Sequence, residues 1–221
     1  LALTVSAGGS IAPWQEAVIG TESGGLRLAE VRANVGDTVR RGQVLAVFAA
    51  ETVQAELAQA RAALAEAEAA AVDARGNAVR AREVRGTGAL SEQQVAQLLT
   101  AEQTAQARVA QQQAQVALQE LRLRHATVTA PDDGSISARS ATVGAVLPQG
   151  QELFRLIRGD RLEWRAEVTS AELMRIRPGQ TAAVTAASGA TATGRVRVVA
   201  PSVDAQTRNA LVYVDLQIGR A

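Results

Sequence analysis

The sequence contains no lysine and no cysteine, and its only aromatic residues are two tryptophans, two phenylalanines and one tyrosine. Without cysteine there are no disulfides, no thiolate metal sites and no thiol catalysis. So few aromatics exclude a base-stacking platform for nucleic acid. A formal net charge of +1 gives no reason to expect nucleic acid or an anionic membrane surface as a partner. No apolar run is long enough to span a membrane.

A ten-residue pattern, G-x-x-[VL]-x-x-G-Q-x-L, occurs twice. The copies begin at Gly36 and Gly144, and their second glycines are Gly42 and Gly150. Each copy predicts a β-hairpin unit too small to bury its own apolar face, so the two should pack on each other as one small β-domain. Domains with this pattern often carry lipoate or biotin on a turn lysine. Because the chain has no lysine, neither group is expected, and no other cofactor or metal site is predicted.

The segment between the two copies is predicted to be helical. Ten positions from 50 to 81 follow a 3-4 spacing and are all Ala, Val or Leu, which indicates a coiled-coil seam. The second arm, Ser91 to Arg124, shows a similar spacing that Glu102 and Gln112 interrupt. We therefore expect an antiparallel hairpin over residues 50–125, each arm reaching about 50 Å. The residues expected to pack inside it are Leu57, Leu64, Ala71, Ala78, Val95, Val109 and Val116.

The turn of this hairpin is predicted at residues 85–91. Gly86 and Gly88 permit the positive φ angles of a tight turn. Ser91, followed three residues later by Gln94, predicts a capping box that begins the returning helix. His125 stands where the hairpin rejoins the β-domain; a junction residue is the favoured interpretation and a pH sensor the alternative. Hinges are expected near Ala50 and His125 at the hairpin base, and near Arg158 and Gly159.

The remaining sequence predicts a small antiparallel β-barrel. Residues 161–168 alternate as in a half-buried strand, with Leu162 and Trp164 on one face and Glu163 and Arg165 on the other. A capping box at Thr169 predicts a short helix over 171–176, and strands are expected at 181–187, 194–200 and 211–218. The N-terminal segment 1–7 is expected to supply a further strand.

This nested order resembles the membrane fusion, or periplasmic adaptor, proteins of Gram-negative tripartite efflux pumps, which include the hemolysin-secretion-type (HlyD) adaptors. The landmarks are the two glycine-marked repeats, the intervening hairpin, and the barrel motifs 177–180 and 201–207. The resemblance implies an elongated α+β fold in which a split lipoyl-like β-domain (11–49 and 126–156) carries the hairpin (50–125). A β-barrel domain (1–10 and 157–221) completes it. The family's membrane-proximal domain is expected to be absent or truncated here.

The hairpin turn carries a more specific similarity. Adaptors that dock on outer-membrane channels of the TolC type carry Arg, then Leu four residues on, then Ser seven further; Arg80, Val84 and Ser91 stand at these spacings. Valine replaces the leucine, and an aspartate often found five residues after the serine is Ala96. Leu90 fits the aliphatic position before the serine. The resemblance therefore implies channel docking through the residues Arg80, Val84, Gly86, Thr87, Leu90 and Ser91.

The resemblance also implies the partners and the location. It predicts an inner-membrane transporter, by hairpin length of the resistance-nodulation-division (RND) type, an outer-membrane channel, and self-association into a ring or sheath. The full-length protein would lie in the periplasm, anchored to the inner membrane. An adaptor for an ABC-type or type I exporter, and a coiled-coil chaperone or scaffold, are the alternatives. No nucleophile, base and oxyanion donor occur together, so no enzymatic activity is expected.

Overall fold

The computed structural model describes residues 4–87, 89–186, 189–203 and 209–216. Gly88 of the predicted turn and residues 204–207 of the barrel motif lie outside this part. Three bodies follow from the chain order: two β-domains and a helical hairpin inserted in one of them. The α+β class predicted from the sequence, with a split β-domain and an inserted hairpin, is confirmed.

The lipoyl-like domain is built from both sides of the hairpin. Its strands are β2 (Glu16–Gly20), β3 (Leu28–Val31), β4 (Thr38–Val39), β5 (Val44–Phe48), β6 (Thr127–Thr129), β7 (Gly134–Arg139) and β8 (Glu152–Arg158). One sheet has the order β2-β8-β7-β4 and the other the order β3-β5-β6. Each sheet therefore contains strands from both halves, so neither half forms a complete sheet alone.

One apolar core lies between these two sheets. Leu45 and Leu153, the last residues of the two repeats, are both fully buried in it. Val39 of the first repeat is also buried there, and Leu147 of the second packs against the same cluster. The two repeats therefore clasp each other in a single core.

The hairpin consists of two helices of nearly equal length. Helix α1 spans Glu51–Glu83 and α2 spans Glu92–His125, 33 and 34 residues. At about 1.5 Å per residue each extends about 50 Å. The length follows from the sequence, because alanine has the highest helix propensity and neither glycine nor proline interrupts α2.

The third body is a half barrel, a five-stranded antiparallel sheet of order β1-β9-β12-β11-β10. Its elements are β1 (Gly8–Pro13), β9 (Leu162–Thr169), α3 (Ser170–Leu173), β10 (Thr181–Thr185), β11 (Thr191–Val203) and β12 (Asn209–Leu216). Its inner face is apolar, with Ala166, Val212 and Val214 buried.

Two local predictions for this sheet were wrong. The N-terminal strand lies at Gly8–Pro13, beyond the segment 1–7 in which we expected it; Thr4 to Ala7 form no strand, and residues 1–3 are outside the described part. The short helix ends at Leu173, before the predicted residue 176. Its capping box, Thr169 with Glu172, is present as predicted. The strand begins late because its partner β9 pairs from Leu162 to Glu167 with Pro13 to Gly8.

Candidate functional site: the hairpin tip and the bodies that hold it

The hairpin tip, defined here as residues 84–91, is closed by hydrogen bonds of its own. The Thr87 hydroxyl donates to the Val84 carbonyl at 2.7 Å. Gly86 has a φ of 83°, as expected for a glycine turn. The Ser91 hydroxyl accepts from the Gln94 amide at 3.2 Å, and the Gln94 side chain accepts from the Ser91 amide at 2.9 Å. The predicted capping box therefore begins α2.

The predicted docking residues of the tip differ in exposure. Gly86, Thr87 and Ser91 are exposed, while Val84 and Leu90 are half-buried. The tip thus offers exposed polar groups beside aliphatic side chains that remain accessible. At the α2 side of the tip, the capping box fixes the backbone at Ser91.

Three arginines lie near the tip, and their partners distinguish them. Arg82 forms an ion pair with Glu102, and Arg85 forms one with Glu92 at 2.9 Å. Arg80 instead donates to the neutral Asn77 side chain at 2.7 Å. Of these three arginines, Arg80 is the one for which the described part of the chain shows no ion pair, and it is also the one in the motif spacing.

The residues predicted to pack inside the hairpin lie between the helices to different depths. Leu57, Ala78 and Val95 are buried. Leu64, Ala71, Val109 and Val116 are half-buried. All ten seam positions of α1 are buried or half-buried, and an alanine-rich seam lets the two helices approach closely.

Two polar residues of α2 are buried in the seam, although the sequence analysis did not predict either of them as a seam residue. Glu102 is 8% exposed and Gln119 is 5% exposed. Both stand in the heptad spacing of α2, Glu102 seven residues after Val95 and Gln119 seven after Gln112. That spacing was the available signal. The sequence analysis interpreted Glu102 as an interruption of this spacing. A buried carboxylate needs a partner, and the partner of Glu102, Arg82, lies on the other helix.

The four turn glycines of the lipoyl-like domain join its halves in equivalent ways. Their φ values lie between 80° and 91°. The Gly36 and Gly144 amides donate to carbonyls of the opposite half, Ile136 at 2.9 Å and Leu28 at 2.8 Å. The Gly42 and Gly150 amides also donate across the halves, at 2.8 Å, to the carbonyls of Ala130 and Thr21. The repeat in sequence is therefore a repeat in structure.

Arg158 holds the junction of the two β-domains. It donates to the Asp132 carboxylate at 2.6 and 2.9 Å and to the Gln15 side chain at 2.7 Å. The hydrogen bonds from the Arg158 guanidinium and from the Asp133 amide hold the pKa of Asp132 below its ordinary value. These hydrogen bonds connect the segment 132–134 to the predicted hinge at Arg158 and Gly159.

His125 contacts the loop between β2 and β3 at the hairpin base. Its Nε2 lies 2.8 Å from a carboxylate oxygen of Glu22. The side chain is partly exposed, and the contact joins the last residue of α2 to the first half of the lipoyl-like domain. This position agrees with the junction role favoured from the sequence.

The polar face of β9 differs from its prediction in one residue. Glu163 was placed on the solvent face, but it is only 2% exposed. Arg165 on its own strand lies 2.9 Å from its carboxylate, and Arg197 on β11 pairs with the other oxygen. The alternation was right, but Arg197 reaches Glu163 from β11, across the intervening strand β12, and the pattern of a single strand does not show such a contact.

The described residues contain neither a group of side chains that could hold a metal ion nor a helix that could span a membrane. In residues 4–87, 89–186, 189–203 and 209–216, no three His, Cys, Asp or Glu side chains are grouped closely enough to hold a metal ion. None of the helices in that same part has the length and apolar character needed to cross a membrane.

The fold defines a class of protein. No protein-family model matches the chain. The fold is shared with solved membrane fusion proteins. It superposes on Spr0693 from Streptococcus pneumoniae R6 with a TM-score of 0.74 and 18% identity, covering 96% of this chain and 91% of that one. It superposes on MacA from Actinobacillus actinomycetemcomitans with a TM-score of 0.77 and 18% identity, covering 96% and 71%. The chain therefore has the fold of the membrane fusion protein Spr0693 and of MacA, and the fold that the resemblance implied is confirmed.

Two metal-resistance proteins are among the curated proteins that are similar in sequence. One is the nickel-cobalt-cadmium resistance protein NccB of Alcaligenes xylosoxydans xylosoxydans, 33% identical over 207 residues, which are 91% of this chain and 50% of that protein. The other is the nickel and cobalt resistance protein CnrB of Cupriavidus metallidurans, 31% identical over 210 residues, 91% of this chain and 50% of that protein. The chain spans about half the length of the curated relatives it matches.

Proposed function

We propose that this chain is part of the adaptor subunit of a tripartite efflux pump. It would bridge an inner-membrane transporter and a TolC-like outer-membrane channel in the periplasm, with the full-length protein anchored to the inner membrane. The observation that carries the proposal is the hairpin. Its two helices have 33 and 34 residues, and they are inserted between the two halves of the lipoyl-like domain. A rod of about 50 Å on a small base is suited to reach a distant partner.

The hairpin tip is the proposed contact with the channel. Its helices would pack against the channel's periplasmic coiled coils, with Leu90 and Val84 supplying apolar contact. Arg80 would supply charge, because its neighbour Asn77 leaves that charge uncompensated. Gly86 and Thr87 shape the turn, and Ser91 fixes it through the capping box.

The two β-domains have different proposed partners. Several copies of the chain would stand side by side as a ring or sheath around the export path. The half barrel, through its rim and loops, would contact the transporter. This role is mechanical: the subunit bridges and seals, it makes no covalent bond, and it carries neither lipoate nor biotin, because the chain has no lysine to hold them.

The transporter is proposed to be of the RND class, and divalent metal ions are the proposed cargo. The support for this cargo is the similarity to a nickel-cobalt-cadmium and a nickel and cobalt resistance protein, at 33% and 31% identity. A strain that lacks the gene should become sensitive to nickel, cobalt or cadmium salts and regain resistance on complementation. Unchanged metal resistance together with new sensitivity to organic toxicants would refute this cargo and leave the adaptor role standing.

Docking is tested by disulfide crosslinking in cells. The chain has no cysteine, so Leu90→Cys adds one thiol at the tip. It should form an adduct with cysteines placed on the periplasmic end of the outer-membrane channel. Gln115→Cys, exposed in the middle of α2, is the matched control and should form none. A normally expressed protein that gives no adduct from Leu90→Cys or Thr87→Cys would refute docking through the tip.

A further inference from the structure

The seam of α1 does not by itself define where α2 must lie along it. Toward the base the seam contains Val53, Leu57 and Leu64, but in its tip-side half the same small side chain recurs at successive turns, at Ala67, Ala71, Ala74, Ala78 and Ala81. Knobs of equal size fit equally well into holes displaced by one heptad. Displacing one helix by seven residues moves it about 10 Å along the other. Something other than the alanines must therefore select one register.

Among the seam positions of α1 and α2, Glu102 is the one with a charged side chain. It carries a carboxylate, and its side chain is only 10% exposed. It forms an ion pair with Arg82 of the opposite helix, whose side chain is 51% exposed. Removing one partner of a buried pair leaves an uncompensated charge in an apolar seam, which is strongly unfavourable. Only the observed register places the Arg82 guanidinium beside this carboxylate.

The other ion pairs between the helices lie at the surface and cannot have the same effect. Arg61 pairs with Glu120 at 2.8 Å and Arg122 with Glu56 at 3.6 Å, and each of these side chains is at least 40% exposed. Water replaces such partners at little cost. Buried Gln119 accepts from Arg122 of its own helix at 3.5 Å, so this contact moves with α2 and carries no information on register.

We infer that the ion pair between Arg82 and the buried carboxylate of Glu102 fixes the axial register of the hairpin and so determines which residues form its tip. A single polar pair in an apolar seam is the best-attested way for a coiled coil to select a register. In a register shifted by one heptad the turn would move off residues 84–91, and the capping box at Ser91 would be lost. Arg82 and Glu102 are thus positioning residues, and their effect on channel docking rests on the proposed function.

The register can be measured directly on the full chain. Because the chain has no cysteine, Ala62→Cys and Gln97→Cys, both exposed, give two sites for spin labels. They lie on opposite helices and are offset by about 30 Å along the axis. Because this offset makes up most of the distance between the labels, sliding one helix along the other changes that distance by nearly the same amount. Pulsed electron spin resonance then reports the distance distribution in the parent and in Glu102→Leu, in which an apolar residue fills the seam.

The parent should give one narrow distance. Glu102→Leu should keep its helix content by circular dichroism but give a second distance, shifted by about 10 Å, because leucine packs in either register. The exchange variant, Arg82→Glu with Glu102→Arg, should restore the single distance. The matched control is the exchange at Arg61 and Glu120, a surface pair, together with Glu120→Leu; both should keep the single parental distance.

A single unshifted distance in Glu102→Leu would overturn the inference, because the seam would then select its register without the pair. Loss of helix in Glu102→Leu, with Glu102→Gln retaining both helix and the single distance, would also overturn it by making the pair a stability element only. These measurements use no channel. If the distances behave as expected but Leu90→Cys forms no adduct with the channel, the register role stands and the docking proposal fails.

Discussion

The clasp between the two repeats can be tested by removing one equivalent side chain from each. Leu45 and Leu153 end the two copies of the pattern and are both 0% exposed. Leu153→Ala removes apolar contact and leaves a cavity, and at fully buried sites this change costs about 2–5 kcal/mol. Since about 1.4 kcal/mol is a factor of ten, the opening equilibrium should rise roughly 30-fold to 4,000-fold.

Hydrogen exchange followed by mass spectrometry resolves this effect by segment. In Leu153→Ala, amides of β5 (Val44–Phe48), in the other half, should exchange faster by the same factor as amides of β8 (Glu152–Arg158). Leu45→Ala should give the reciprocal result with a similar magnitude. The reason is that β5 and β8 share one core although the hairpin separates them in sequence.

Two controls come from the same repeats. Val35 and Val143 precede the two copies and are both 58% exposed. Their change to alanine should alter stability by less than about 0.5 kcal/mol, which is at most about threefold in exchange. If Leu153→Ala accelerated exchange only within residues 134–158 and left β5 as protected as in the parent, the two halves would fold independently and the clasp would be refuted.

Three further predictions concern single sites. Gly134→Ala should destabilise the lipoyl-like domain by more than about 1 kcal/mol in urea unfolding, because its Cβ would lie 1.9 Å from the Ile157 carbonyl oxygen at a φ of 154°. Ser91→Ala should cost about 1 kcal/mol in helix melting. Arg158 lowers the pKa of Asp132. The stability that this pair contributes is therefore present above about pH 4 and is lost as the pH falls through the lowered pKa. Asp132→Asn should make the free energy of unfolding less dependent on pH in this acid range.

The hairpin could be predicted from the sequence because its signals are local. A 3-4 spacing of Ala, Val and Leu, a glycine turn and a serine cap all act within a few residues. These signals predict the two helices, their turn and the capping box, and the structure contains both helices and the capping box. The clasp was also predictable, since a repeated pattern implies a repeated structure.

Which strands pair depended on contacts that a linear pattern does not contain. The late start of β1 at Gly8 follows from its pairing with β9, more than 150 residues away. The burial of Glu163 follows from Arg197 of β11, which lies beside it only once the sheet has formed. From the neighbouring sequence alone, the strand was expected at residues 1–7 and Glu163 was expected on the solvent face.

The sequence by itself determined that two helical arms leave a β-domain made of two matching halves, because periodicity and glycine turns act over short distances. The tertiary structure alone decided which charges are buried and which remain free. Glu102 could lie in the alanine seam only because Arg82 stands across from it on the other helix. Such pairings depend on the register between distant segments, and that register is set when the helices pack.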